Sequence, residues 1–268
     1  MRIVTVIQAR VGSTRFPRKV VQDVSGAPAL ERMLERVRAA RLVGTVVLAT
    51  TTLRDDDELQ ALGERCGVPV VRGHPTDLLD RHVHAGRAFQ ADAVVKIPSD
   101  CILIDPAVID EVIGAWLEAP DDWDFVSNLH PPTHPDGNDV EVMPMRLLEQ
   151  AHAQAVRALE REHTTPWFWD PPGRWRVRNV TMPDGANHAR THRLVLDYPE
   201  DLTVLRAVFD GVRDRWPYVS VAEIVAWMDA HPEVTDANAA LRGVNWYRHH
   251  LDELTAVTSN DTFSPSVH

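Results

Sequence analysis

The amino-acid sequence predicts an α/β protein built on an open, mostly parallel sheet with a small inserted lobe. Three observations carry this expectation. Short runs rich in β-branched residues alternate with segments of helical periodicity as far as Asn128, in the order βαβαβαβαβ. The runs are apolar throughout rather than at every second position, as in strands covered on both faces. The 268 residues are 44% hydrophobic, enough for one substantial core.

The first strand is IVTVI, residues 3 to 7. It runs into the polar loop QARVGSTRFPRK, which contains glycine and is broken by Pro17. Residues 28 to 42 place Leu30, Met33, Leu34 and Val37 on one helical face behind Pro28. TVVLAT at 45 to 50 is the next strand. Residues 55 to 66 open on Asp55, Asp56 and Asp57, which suit the positive end of a helix. VPVV at 68 to 71 is a strand, 77 to 89 a helix and AVVKI at 93 to 97 a strand. Asp105 and Pro106 signal a helix start, followed by the apolar face Val108, Ile109, Val112, Ile113 and Trp116. DFVSN at 124 to 128 ends the regular pattern.

Beyond it, HPPTHPDGND is too rich in proline and glycine for a regular element. VEVMP at 140 to 144 is a short strand and 145 to 161 a helix. The segment TTPWFWDPPGRWRVRNV, with Trp167, Trp169 and Trp175, reads as a lobe or hairpin, so residues 143 to 192 are expected to form an insertion. HRLVLD at 192 to 197 returns to strand character. Residues 200 to 213 form an amphipathic helix through Leu202, Leu205, Val208 and Val212, and a last helix covers 220 to 230. The expected domain is therefore 1 to 235, with an extension from 236 to 268 whose last ten residues are polar, aperiodic and expected to be disordered.

The charge balance, 28 basic against 39 acidic residues for a net −11, argues against a dedicated nucleic-acid surface. No run is long enough to span a membrane, and the N-terminus has no signal-peptide apolar region, so a cytoplasmic protein is expected. Cys66 and Cys101 lack a CxxC partner and read as ordinary thiols. The thirteen histidines contain no HExxH spacing.

In an open parallel sheet, ligands bind beyond the carboxyl ends of the strands. The loop after the first strand holds Arg10, Arg15, Arg18 and Lys19, with Gly12 and Ser13 between them. Backbone amides near a glycine and several cationic side chains suit phosphate groups. The loop matches neither GxxxxGK[ST] nor GxGxxG, and a solvated basic loop is the plain alternative. Asp100 follows AVVKI and Asp197 follows HRLVL, so the two carboxylates can bracket one divalent ion if their strands are neighbours. Helix capping is the alternative for each. Asp139 and Glu141 alternate in the run into a strand and so share a face, suited to hydroxyls or an amine on an acceptor. A charged, solvated edge strand explains them equally. Glu162 and His163 are further candidates for acceptor contact.

The stretches IQARVGSTRFPRKV, VVLATTTLRDDDEL, VPVVRGHPTDLLDR, KIPSDCILIDP, GNDVEV, EREHTTP and LVLDYPEDL occur in this order between residues 7 and 202. Together they resemble the cytidylyltransferase family that includes spore coat polysaccharide biosynthesis protein F. More distantly they resemble the enzymes that activate 3-deoxy-manno-octulosonate and sialic acid. The resemblance implies a nucleotide-diphospho-sugar transferase (GT-A-like) Rossmann-type fold and a Mg²⁺-dependent enzyme. Its reaction would be CMP transfer from CTP to a sugar, sugar acid, polyol phosphate or phosphonate. Gln8, Ala9, Arg10, Gly12, Ser13, Arg15 and Lys19 would then wrap the nucleotide, with Thr50, Asp80 and Arg81 nearby. Asp100 and Asp197 would hold the metal, with Arg15 and Lys19 acting on the phosphates. Arg18, Lys96, Asp139, Glu141, Glu162 and His163 would face the acceptor. Relatives of this kind commonly pair through the inserted lobe, so the resemblance and the tryptophans together imply a homodimer.

The chain departs from the family pattern at Arg18, where glycine is usual, and at Pro98, Ser99 and Ile102 in the turn around Asp100. These substitutions imply an unusual acceptor. A nucleotide-sugar-dependent glycosyltransferase and a non-catalytic nucleotide-binding protein are the competing functions.

Overall fold

Strand β1 (Ile3–Gln8) lies at the centre of the architecture, and its sequence explains why. Val4 and Val6 face one apolar cluster with Val47, Val83 and Phe125, while Ile3 and Ile7 face another with Leu30, Leu34 and Ile109. A strand buried on both sides has no solvent-facing positions to alternate with, and its buried Thr5 donates its hydroxyl to the Val43 carbonyl at 2.7 Å. The computed structural model describes residues 1–263.

After β1 come a small hairpin, β2 (Asp23–Val24) and β3 (Ala27–Pro28), and helix α1 (Ala29–Val37). The chain then forms β4 (Thr45–Thr51), α2 (Asp57–Arg65), β5 (Val70–Gly73), α3 (Leu78–Ala88), β6 (Ala93–Pro98), α4 (Pro106–Leu117) and β7 (Phe125–Ser127). β8 (Glu141–Pro144), α5 (Met145–Gln154), α6 (Ala158–His163), α7 (Pro166–Trp169) and β9 (Val177–Asn179) follow. α8 (Pro199–Val212), α9 (Val221–Ala230) and α10 (Pro232–Thr235) complete the helices.

The large sheet has the order β5-β4-β1-β6-β8-β7-β9. β1 pairs in parallel with β4 and β6, β4 with β5, and β7 with β9, whereas β8 runs antiparallel to both β6 and β7. The sheet is thus mixed, with its parallel half where the alternating elements predict it. The reversal of β8 matters for the site. Its first residue, Glu141, pairs with Lys96 near the carboxyl end of β6.

The expected helical faces are the buried ones. Leu30, Met33, Leu34 and Val37 of α1 are sealed, as are Val108, Ile109, Val112, Ile113 and Trp116 of α4. At ~1.5–3 kcal/mol for each large apolar side chain removed from water, either face outweighs the helix's own marginal propensity. Asp105 caps α4 by accepting the Ala107 amide at 2.8 Å, with Pro106 at the first helical position.

Several expectations are corrected. α1 ends at Val37, short of residue 42, and the strand expected at 68 to 71 runs from Val70 to Gly73. The expected helix 145 to 161 breaks between Gln154 and Ala158, where Ala155 turns to an extended conformation. α5 packs beside α3 on the sheet, and β9 adds to the sheet's edge. Trp167, Phe168 and Trp169 are buried inside the same chain, so the aromatic area that suggested an intermolecular contact is already covered.

HRLVLD is not a strand. It runs extended between two loops, with one bridge from Arg193 to Asp136, and its amides pair with loop carbonyls. The C-terminal extension packs on the domain, burying Leu241, Val244 and Leu254. Within the tail expected to be disordered, Asp261 accepts the Thr258 amide at 2.8 Å, and Phe263 donates its amide to the Gly243 carbonyl at 2.9 Å. Residues 264 to 268 of that tail lie outside the described residues. No helix among the described residues is long and apolar enough to cross a membrane, and Cys66 and Cys101 are free thiols.

Candidate functional site

A cavity of about 550 Å³ opens where β1 and β6 end and β8 begins. Its centre is an ion cluster. Lys19 sits in a 3-10 turn, Lys19–Val21, that follows the first loop. Its ammonium donates to Asp100 Oδ2 and Asp197 Oδ1, each at 2.7 Å, and Arg15 Nη2 donates to Asp197 Oδ1 at 2.8 Å. Burial disfavours the charged Lys19, but Asp100 and Asp197 outweigh it and raise its pKa. Burial likewise disfavours ionised Asp197, but Lys19 and Arg15 prevail and hold the carboxyl below its ordinary value.

The loop segment 192 to 197 brings the two aspartates together without a strand. The Leu196 amide donates to the Asp100 carbonyl at 2.9 Å, and the Leu194 amide to the Asp136 carbonyl at 2.7 Å. Gly137 makes the second contact possible: its φ is 102°, and a Cβ there would lie 2.6 Å from the Leu194 carbonyl carbon. Asp201, in the first turn of α8, accepts the amides of Asp197 and Tyr198 at 3.0 Å each. Arg193, fully buried, clamps Asp201 and Asp136 at 2.8 Å.

One side of the cavity is lined by Gln8, Ala9, Arg10, Ser13 and Arg81. Arg81 donates to the Gln8 side chain at 3.0 Å and to the His74 carbonyl at 2.8 Å, joining β1 to the loop after β5. Burial lowers its pKa to about 10, with Arg10 adding to the effect. Gln8 also contacts His82 Nδ1 at 2.6 Å. The first loop is anchored by Asp56, which accepts the Val11 amide at 2.8 Å and bonds Thr51 Oγ1. The acidic run 55 to 57 therefore does more than start a helix.

The other side holds Lys96, Asp136, Asp139, Glu141, Glu162 and His163. Lys96 donates to Glu141. Burial pushes Asp136 up to about 7 against the pull of Arg193, and pushes Asp139 well above the carboxylate range, with Asp136 and Asp100 adding to it. His163 stacks on Trp246, ring centroids 3.7 Å apart, and Tyr247 meets Trp246 edge to face.

Four expected residues lie elsewhere. Arg18 pairs with Glu58 at 2.7 Å on the surface, from a left-handed backbone with φ of 59°. Gly12 and Thr50 do not line the cavity. Asp80 bonds His152 at 3.0 Å between α3 and α5. Replacement of the usual glycine and proline around Asp100 leaves a closed turn, in which Cys101 donates to Pro98 and Ile104 to Cys101 at 3.2 Å. The sequence reading assigns no site role to Asp56, Asp136, His130, His134, Trp246 or Tyr247. The WYRHH run at 246 to 250 was a signal available for the last two.

Asp100 and Asp197 share one ammonium, that of Lys19, and so bring two carboxylate oxygens to a common point. Among the described residues no group of three or more His, Cys, Asp or Glu is arranged to hold a metal alone. Mg²⁺ commonly takes one or two carboxylates and completes its shell with phosphates and water, so the pair fits such an ion.

A family model described as cytidylyltransferase matches residues 4–223. The chain is 28% identical over 243 residues to spore coat polysaccharide biosynthesis protein SpsF of Bacillus subtilis, covering 89% of this chain and 98% of that protein. It is 38% identical over 120 residues to a 3-deoxy-manno-octulosonate cytidylyltransferase of Geobacter sulfurreducens, covering 45% of this chain and 47% of that one. Among solved structures, a cytidylyltransferase from Leptospira borgpetersenii aligns with a TM-score of 0.82 at 27% identity, over 88% of this chain and 97% of that chain.

Proposed function

The chain belongs to the cytidylyltransferase family, and from that premise we propose how its cavity transfers CMP from CTP to a small acceptor. The triphosphate lies along the first loop, with the cytidine toward Gln8, Arg10 and Arg81. The acceptor oxygen approaches from the side of Asp139 and Glu141 and attacks the α-phosphorus in line. A bond forms between that oxygen and phosphorus, the bond to the bridging oxygen breaks, and pyrophosphate leaves with its electron pair. A hydroxyl acceptor gives its proton to solvent. Arg15 and Lys19 turn from the aspartates to the β- and γ-phosphates and neutralise the charge that develops on the leaving group. Mg²⁺ at Asp100 and Asp197 would polarise the α-phosphate.

The observation that supports this reading best is the single ammonium shared by Asp100 and Asp197 beside Arg15. The resemblance leaves sugars, sugar acids, polyol phosphates and phosphonates open as acceptors, and the name of the Bacillus subtilis relative favours a sugar-type acceptor. A homodimer, on resemblance, and a cytoplasmic location, on the sequence, complete the reading. The turn at Asp100 carries one carboxylate between Ser99 and Cys101, unlike the DxD-like pair typical of nucleotide-sugar-dependent glycosyltransferases. The test is pyrophosphate release from CTP, UTP, ATP and GTP with Mg²⁺ and an acceptor panel. CTP should lead. Full turnover by Asp100→Ala protein would sink the assignment of the metal.

A further inference from the structure

The acceptor half of the cavity has a chemical character that narrows the acceptor class. Asp136, Asp139 and Glu141 converge there, and the one lysine on that side, Lys96, is already held by Glu141. Arg193 is sealed behind Asp136. Asp139 has no side-chain hydrogen-bond partner among the described residues.

A second observation is independent of the carboxylates. His134 is only 4% exposed and lines the cavity, yet neither of its ring nitrogens has a partner. Trp169, 5% exposed, lines it too with an unpaired indole N–H. Buried polar atoms of this kind cost about 1–3 kcal/mol each when left unmade, so they mark where a ligand or ordered water supplies hydrogen bonds. The Trp246 ring, backed by His163, adds a flat apolar wall.

Resting on the reading of this cavity as a CMP-transfer site, we propose that the acceptor is a hydroxylated ring bearing a primary amine and no carboxylate. The ammonium lies against Asp139, which has no cationic partner among the described residues, beside Asp136, which Arg193 already holds. Ring hydroxyls pair with His134 and Trp169, and the ring's C–H face rests on Trp246. An acid group on the acceptor would meet the unpaired Asp139, with Lys96 and Arg193 already engaged by Glu141 and Asp136.

The test uses three probes that share one ring: glucosamine, glucose and glucuronic acid. Each is titrated calorimetrically into the full chain saturated with CMP. The expected order is glucosamine, then glucose, then glucuronic acid, with glucosamine preferred over glucose by about fivefold or more. In Asp139→Asn that ratio falls toward one. Glucuronic acid binding as tightly as glucosamine overturns the proposal, as does a ratio unchanged in Asp139→Asn, or no binding of glucosamine at all. CTP binding is measured on the same samples. Its absence would sink the nucleotidyl-transfer reading by itself, while the order of the three sugars still decides the chemistry of the cavity.

Discussion

Replacing Lys19 with methionine removes the one cation that touches both aspartates. In the wild type that ammonium is 2.7 Å from each carboxylate, and the side chains of Lys19, Asp100 and Asp197 are 11%, 22% and 14% exposed. Lys19→Met leaves Asp100 without its cation and Asp197 with the partly exposed Arg15 at 2.8 Å and Arg193 at 3.9 Å. Like charges about 5 Å apart at an effective dielectric constant near 20 repel by roughly 3 kcal/mol. Partial protonation and solvent screening reduce this, so a net loss of about 2–3 kcal/mol is expected, or about 5–10 °C in Tm for a chain of this size. Added Mg²⁺ should then raise the Tm of the variant more than that of the wild type, since the ion takes the vacated position between the carboxylates. Turnover should fall about a hundredfold or more, because the leaving group loses a cation. The assay is thermal unfolding with and without MgCl₂, paired with pyrophosphate release. A Tm within 1 °C or so of wild type, with no larger response to Mg²⁺, would refute the reasoning about this bridge.

Three other outcomes are expected. Arg18→Gly relieves a left-handed backbone and loses an exposed ion pair, so stability should stay within about 1 kcal/mol and turnover within about twofold; a tenfold fall in turnover would return Arg18 to the site. Burial holds His82 near a pKa of about 3, below its ordinary 6.5. The folded state therefore binds fewer protons than the unfolded one in that window, and the stability His82 contributes above pH 6.5 is lost as pH falls. The stability of wild type minus His82→Gln should drop by up to about 1.4 kcal/mol per pH unit between pH 6.5 and 4.5, measured by urea unfolding, and a flat difference would contradict this. Asp136, held near 7, works in the opposite sense in both proteins and cancels in the difference. A homodimer is expected by light scattering at micromolar concentration, and a monomer at that concentration would contradict it.

Local pattern was informative where it coincided with burial. The apolar runs became β1, β4 and β6, and the α1 and α4 faces were readable because a 3.6-residue period maps directly onto one side of a helix. Asp100 and Asp197 were identifiable as paired carboxylates, but for a partly mistaken reason. Asp197 reaches Asp100 through loop-to-loop hydrogen bonds rather than from a neighbouring strand. A cation in a basic loop carries no sign of which way it points, and the backbone of Arg18 turns it toward Glu58. The aromatic segment was misread because prolines argue against a long helix but not against short turns that pack tryptophans inward. Trp246 and Tyr247 went unread because nothing local records that a C-terminal extension folds back over a cavity more than a hundred residues away in sequence from Asp139 and Glu141.

The most direct test of the central claim is pyrophosphate release from CTP by wild-type and Asp197→Asn protein, across acceptors that include the hexosamines, with Mg²⁺ varied. The substitution keeps size and hydrogen bonding while removing one of the two charges that fit the ion. Wild-type protein should release pyrophosphate only when CTP, Mg²⁺ and an acceptor are all present, and Asp197→Asn should be slower by a factor on the order of a thousand, several kcal/mol of lost stabilisation. Release that is equally fast in Asp197→Asn, or that proceeds best with a purine nucleotide, would contradict the account.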